Sequence, residues 1–388
     1  MLNYHQKHSL LFLKINMKEV EIYIHIPFCE RKCLYCNFVS YCVKENIITQ
    51  YIEKLKNELM AKLSKKMCVK TLFFGGGTPS LINANYILEL INLIKQVAVF
   101  DKDCEVTIEC NPNSTTREKL ELYLKCGINR ISFGAQTFND KILKSIGRLH
   151  NSNQINNAVN LAREVGFRNI SLDLMVGLCG QTLSDVEDDV NKALCLGVDH
   201  ISCYSLILEE GTPLCRLVNS GKVCLPDDDS VVEMYDKVNY LLNKNGLPKY
   251  EVSSFAKPGF ECRHNIGYWT NKEYIGFGVA AHSFIDGYRK ENTEDIQEYL
   301  SKSFDEIENS ELLSQEEEIE EYIMLSLRTS KGLYLEYLKQ NFNYDLLLAK
   351  KSEIDEMVRM KLIKLDNNFI SATEEGFHIL NKIILKLV

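Results

Sequence analysis

The chain has 388 residues, of which 45% are hydrophobic and 25% charged. This is the ordinary makeup of a folded protein of about two or three domains, and it excludes wholesale disorder, a collagen-like fibre and a membrane bundle. With 53 Asp+Glu against 45 Lys+Arg, the net charge is -8, the wrong sign for a non-specific grip on nucleic acid.

The first 16 residues hold only a short apolar run, Leu10 to Leu13, with no small-residue cleavage site after it and no Arg. That is a poor signal peptide and a poor transit peptide. Translation beginning at Met17 is the plain alternative, because a strand follows almost at once. From residue 20 to about 250, β-rich runs alternate with amphipathic helical stretches. Strands are expected at 21–26, 69–74, 105–109, 129–133, 169–175 and 200–206. Their near-continuous apolarity suits strands buried on both faces. Helices are expected at 46–65, 83–97, 115–126, 152–165 and 182–196, with Gly127, Gly166 and Gly197 just past helix ends, where a left-handed cap favours glycine. Six β-α units in series predict a parallel sheet, open or curled into part of a barrel. Residues 251–290 are rich in Gly, aromatics and His. From about Glu294 the chain is helical and acidic, and it ends in helices around a strand pair at 362–365 and 369–371. That order is winged-helix-like, but its mixed charges suit a lid or a partner-docking surface better than DNA.

Cysteine is the informative count. Of 14, three cluster as Cys29, Cys33 and Cys36, directly after the first strand. The other eleven are scattered, many in apolar runs, and read as small buried hydrophobes in a reducing, cytoplasmic setting. Three thiolates on one tight loop converge on a metal centre. Structural zinc wants four ligands and an electron-transfer cubane four cysteines, whereas Phe38 stands two places after Cys36 and Cys42 is off any regular spacing. Three ligands suggest a 4Fe-4S cluster with one iron open. A zinc loop with Cys42 or a distant His as fourth ligand remains the bland reading, and with it a zinc-binding interaction protein. Around the expected sheet, Gly75-Gly76-Gly77-Thr78-Pro79 follows the second strand. Glu109 ends the third, Gln136 and Arg148 follow the fourth, and Asp173 lies in the fifth. Ligand residues of a β/α barrel come from the C-terminal ends of different strands, so these read as one ligand mouth.

The C-x-x-x-C-x-x-C spacing and the GGGTP run resemble the radical S-adenosylmethionine (SAM) superfamily, in which the amino and carboxylate groups of SAM chelate the open iron and an electron from the cluster cleaves the sulfonium to a 5′-deoxyadenosyl radical. Tyr23-Ile24-His25-Ile26-Pro27-Phe28-Cys29, the runs NRISFGAQTF and GRLH, and His264-Asn265-Ile266-Gly267-Tyr268-Trp269 are similar, from Glu19 onward, to the branch that joins oxygen-independent coproporphyrinogen III oxidase to the HemW haem chaperones. The resemblance implies a partial (β/α)6 TIM-like barrel over 19–250 after an extension at 1–18. A haem-motif segment follows at 251–299, and a mostly helical, winged-helix-like HemN-type domain at 300–388. By matched position it implies SAM contacts at Tyr23, Gly76, Gly77, Thr78, Glu109, Gln136, Arg148 and Asp173, with the cluster on Cys29, Cys33 and Cys36. Two features favour HemW. The oxidase carries a further cysteine where this chain has Phe38, and the HNxxYW motif, with His264, Asn265, Tyr268 and Trp269, is associated with haem binding. His264 can supply an axial imidazole, or simply orient its loop through hydrogen bonds. His282 is a weaker ligand candidate, and His25 suits the core. The expected activity is haem carriage to a respiratory or other haem-accepting protein, at the membrane or off it. An electron donor is needed if SAM is cleaved, a homodimer is conceivable, and no nucleic acid is expected. The oxidase, which decarboxylates coproporphyrinogen III, is the rival reading.

Overall fold

The computed structural model describes residues 17–388, so the N-terminal segment discussed above lies almost wholly outside the described residues. Six parallel strands form the centre of a 12-stranded sheet and lie in chain order: β1 (Lys18–Ile26), β2 (Met67–Gly76), β3 (Val99–Cys110), β4 (Arg130–Gln136), β5 (Asn169–Val176) and β6 (His200–Ser205). All six match expected strands. The crossovers are helices α1 (Glu45–Lys62), α2 (Ala84–Val97), α3 (Arg117–Cys126), α4 (Asp140–Ser145) with α5 (Ser152–Val165), and α6 (Leu183–Cys195). After β6 come α7 (Pro213–Asn219) and α8 (Asp228–Lys244). The fold is the α/β partial barrel that the β-α repeat implies.

Residues 249–312 extend both ends of the sheet, so the sheet runs past position 299 into the C-terminal part. β7 (Lys249–Glu251) and β8 (Ser254–Ala256) continue it antiparallel beyond β6. On the other side, β9 (Tyr274–Phe277) pairs parallel to β1, followed by β10 (His282–Ile285), β11 (Tyr288–Asn292) and β12 (Glu308–Leu312). No pairing joins β7 to β12 among the described residues, so the barrel is open. Between β8 and β9, the short helix α9 (Arg263–Trp269) lies across the N-terminal ends of the strands, beside β2.

The strands are buried on both faces, as their composition suggests, but the two faces differ. Ile22, Ile24, Ile26, Leu72, Phe74, Ile108, Ile131, Phe133, Ile170, Leu172 and Ile201 point outward, under the helices, and form the main core. The alternate positions point inward and are largely polar: Glu21, Tyr23, His25, Thr71, Glu105, Thr107, Glu109, Arg130, Ser132, Ser171, Asp173, His200 and Ser202. A strand's side chains alternate faces, so the lumen is a polar column wrapped in an apolar shell.

The C-terminal region has its own core, around Leu327, Leu338, Ile354, Ile370 and Leu387. The expected strand pair is present as β14 (Ile363–Asp366) and β15 (Phe369–Ala372), turned by Asn367 and Asn368, both at positive φ, as a two-residue hairpin requires. A third strand, β13 (Leu333–Tyr334), was not expected; it pairs with β15. Backbone bonds from Val252 to Arg328 (2.8 Å) and from Ser330 to Tyr250 (2.9 Å) join this region to the barrel. Among the described residues, no helix is long and apolar enough to cross a membrane.

Gly267 is where α9 meets the barrel most closely. A Cβ there would lie 1.9 Å from the buried Glu21 carboxylate. In an open helix Gly→Ala gains about 1 kcal/mol, but here overlap with a buried carboxyl group outweighs that. Gly267→Ala is expected to lower stability by roughly 1–3 kcal/mol, read as the urea unfolding midpoint; an unchanged or raised midpoint would show that α9 does not seat on β1 in this way.

Candidate functional site

The cysteine loop leaves β1 through Pro27 and Phe28 and is clasped at its base. Tyr41 N–H donates to Pro27 O (2.6 Å), and Cys29 N–H donates to Tyr41 O (3.0 Å). Its middle is tied down by Leu34 N–H to Ile146 O (3.0 Å) and by Leu214 N–H to Leu34 O (2.8 Å). Cys29, Cys33 and Cys36 are partly exposed and line one pocket of about 420 Å³ at the C-terminal ends of the strands. Cys29, Cys33, Cys36 and Cys42 are all unbridged thiols. Cys42 is exposed. Phe38, 71% exposed, stands on the pocket's rim.

Gly76, Gly77, Thr78, Glu109, Gln136, Arg148 and Asp173 line the same pocket, so the chain brings together seven of the eight residues matched by resemblance. The glycines are demanded first by packing. A Cβ on Gly76, whose φ is +112°, would lie 2.6 Å from the His25 ring, and one on Gly77 would lie 2.8 Å from the Phe28 nitrogen. Thr78 Oγ1 is 3.5 Å from Cys29 Sγ and accepts from Asn111 Nδ2 (3.1 Å). Arg148 donates to Asn111 Oδ1 (2.7 Å), to Gly134 O (2.5 Å) and to Cys33 Sγ (3.6 Å), while its Nε is buried without a partner. Gln136 sits at a strand irregularity with φ +67°, a strained backbone for a non-glycine residue. Asn111 was missed by sequence reasoning, although it bridges Thr78 to Arg148; the Asn-Pro step that ends β3 was its only signal.

Tyr23 does not line the cysteine pocket. It lies one step deeper, in a lumen cavity of about 200 Å³ that shares Glu109, Asp173 and Tyr204 with that pocket. The lumen ends on α9. The His264 ring stacks on Phe73 (centroids 5.0 Å apart) and more loosely on Tyr23 (6.4 Å). Its Nδ1 is hydrogen-bonded to Thr71 Oγ1 (2.6 Å) and its Nε2 to the Tyr268 hydroxyl (2.8 Å). The Arg263 and His264 N–H groups donate to the Glu105 carboxylate (3.1 and 3.2 Å). His264 is 1% exposed. Asn265 and Tyr268 line the lumen with it, and Trp269 is half-buried at the end of α9. In this arrangement His264 holds the barrel floor, with both ring nitrogens engaged.

Burial governs the charges. It pushes Glu109 up to about 8, helped by the neighbouring Asp173 carboxylate, and it raises Asp173 as well. It pushes Glu21 up to about 8 and, with the Arg130 guanidinium nearby, His264 down to about 3. The upper lumen therefore sets two buried carboxyl groups with raised pKa values, Glu109 and Asp173, near the Arg148 guanidinium.

This site, on this barrel, is that of a radical SAM protein. The Radical SAM superfamily model matches residues 23–193, and the HemN C-terminal domain model matches 313–379. Relatives named "Heme chaperone HemW" are 37% identical in Bacillus subtilis, covering 91% of this chain and 95% of the relative, and 36% identical in Lactococcus lactis, covering 94% and 96%. The chain belongs to the HemW family. In fold it is similar to the coproporphyrinogen III oxidase HemN of Escherichia coli, with a TM-score of 0.82 at 21% identity, over 97% of this chain and 93% of that one.

A carboxyl whose pKa is raised by folding takes up a proton in the folded state, so it withdraws stability as pH rises from about 4.5 to about 8. In the ligand-free protein Glu109→Gln should remove that slope. The stability of the variant relative to wild type should climb between pH 6 and pH 8.5 by on the order of 1 kcal/mol, followed by urea midpoints. A gap that does not change with pH would mean that Glu109 is ionised throughout.

Proposed function

We propose that the protein carries haem in a reducing cytoplasm. It would hold a 4Fe-4S cluster on Cys29, Cys33 and Cys36, bind SAM beside it, and pass haem to an acceptor protein. The observation that carries this reading is a pocket that gathers Cys29, Cys33 and Cys36 of one loop beside the buried Cys110, with Phe38 rather than a further loop cysteine on its rim, in a chain whose relatives are named for haem carriage.

The donor set fits the cluster. Three thiols on one loop, Cys29, Cys33 and Cys36, at one pocket suit a 4Fe-4S cluster with one iron left open. When bound, the cluster supplies an electron to the sulfonium of SAM. The chain's own residues provide the cradle. Arg148, with its unpartnered Nε, suits the SAM carboxylate. Glu109 and Asp173 suit the ammonium and the ribose hydroxyls, and a bound cation would lower the raised pKa of Glu109. The strand ends at Gly76 and Gly77 bring backbone groups to the pocket wall. Haem bound at His264, as the resemblance implies, requires α9 to withdraw from the barrel floor, because both ring nitrogens are engaged there.

After anaerobic reconstitution, Cys33→Ala is expected to lose the bound iron and sulfide, and Cys42→Ala to keep wild-type content. Equal loss in both would point to a four-cysteine site instead. Haem titrated into the reconstituted protein is expected to bind stoichiometrically, while coproporphyrinogen III with SAM and a reductant yields no decarboxylated product. Turnover without haem binding would make the chain an oxidase.

A further inference from the structure

Two hydrogen-bond donors in the cysteine pocket face the thiols themselves. The Thr78 hydroxyl lies 3.5 Å from Cys29 Sγ, and Arg148 Nη1 lies 3.6 Å from Cys33 Sγ. Both are within reach of a hydrogen bond to sulfur. Thr78 is buried, so its bond is made away from bulk water, where an electrostatic interaction is stronger.

One residue fixes both donors. Asn111 follows the end of β3, and its side-chain amide stands between them. Arg148 Nη2 donates to Asn111 Oδ1 (2.7 Å), and Asn111 Nδ2 donates to Thr78 Oγ1 (3.1 Å). The direction of this relay is not free. A guanidinium has donors and no acceptor, so the amide must turn its oxygen to Arg148 and its nitrogen to Thr78. Thr78 Oγ1 therefore accepts from Asn111 and keeps its own proton to give elsewhere, with Cys29 Sγ in reach. The backbone that carries the amide is held as firmly. Asn111 N–H donates to Ser80 Oγ (2.9 Å), and its carbonyl accepts from Ser114 N–H (3.1 Å) and the Thr115 hydroxyl (2.9 Å).

A cysteine bound to an iron–sulfur cluster is a thiolate, and hydrogen bonds to the sulfurs are among the factors that set the cluster's potential. Reduction adds negative charge, so a donor aimed at a ligating sulfur favours the reduced state. We infer that Asn111 is a positioning residue for this electron chemistry: it aims the Thr78 hydroxyl and the Arg148 guanidinium at the thiolates of Cys29 and Cys33, and so raises the reduction potential of the cluster they hold. The inference rests on the cluster reading above. Arg148 divides its donors accordingly. Nη1 and Nη2 serve Cys33, Asn111 and Gly134 O, while the unpartnered Nε is left for a ligand.

The test is an EPR-monitored redox titration of the anaerobically reconstituted full chain without SAM. Iron and sulfide content shows that each variant is loaded. Thr78→Val removes the hydroxyl and keeps the side chain's shape, and Asn111→Ala removes the relay. Each should disfavour the reduced state by about tenfold, which is about 59 mV for one electron, while Thr78→Ser should hold the wild-type potential. Because Asn111 acts in part through Thr78, Asn111→Ala should lower the potential less in the Thr78→Val background than in the wild type. If Asn111→Ala does not load, Asn111→Asp takes its place in the same cycle, since it keeps an acceptor for Arg148 and loses the donor to Thr78. Wild-type potentials in both single variants, or fully additive shifts, would overturn the relay and leave the cluster reading standing. Failure of the wild-type chain to take up a cluster would overturn both.

Discussion

The helix that closes the barrel floor sits on one carboxylate. Glu105 accepts from two backbone N–H groups at the start of α9 and lies 3.7 Å from the Cys262 sulfur. His264 then spans from Thr71 on β2 to Tyr268 on the next turn of α9. The rest of the architecture depends on this closure. A lumen lined with Glu21, Glu105, Arg130 and His200 cannot stand open to bulk solvent at one end and keep its charges poised at the other. Removing one partner from such a buried network costs more than the bond itself contributes, because the remaining group is left without a partner.

With the floor shut, the lumen is polar along its whole length. Toward the bottom, Glu21 Oε2, Thr107 Oγ1 and Arg130 Nε are buried without a hydrogen-bond partner. At the top, Arg148 Nε also has no partner, while Glu109 accepts from the Gly76 N–H and Asp173 from the Ser132 hydroxyl, and burial raises the pKa of both carboxyls. Incomplete satisfaction at the C-terminal ends is what a ligand site needs, since a cationic or anionic guest then completes the network instead of competing with it. The cysteine loop is fixed to the same end by packing that allows no side chain at Gly76 or Gly77. Position and chemistry are therefore set by one strand-to-loop junction.

The strands, the cysteine loop and the ligand mouth were legible in the sequence because each is local. A β-branched run, a three-cysteine spacing or a glycine triplet carries its signal within ten residues. The polar inner face was harder to see. Strands buried on both sides read as apolar runs, and only the alternation of Glu21, Tyr23 and His25 with Ile22, Ile24 and Ile26 hints that one face looks into a lumen. His264 shows the limit of a motif. Six residues identify the family, yet they do not say that the imidazole packs under Phe73, almost 200 positions earlier. β13 escaped because two residues are too few to show a period. Asn111 escaped because an asparagine before proline is the commonest of turn signals.

Tyr204 gathers these threads. It stands near the end of β6, at the open edge of the barrel, and is wall at once to the cysteine pocket, the lumen and a groove beside α8 and the C-terminal region. A closed barrel would have no such residue, since its last strand would pair with its first and separate inside from outside. Here β6 is followed by two short antiparallel strands instead, and the C-terminal region covers the gap without filling it. A side chain that serves three spaces cannot turn toward one without reshaping the other two. Tyr204 therefore links the mouth of the barrel to its open edge through a single ring.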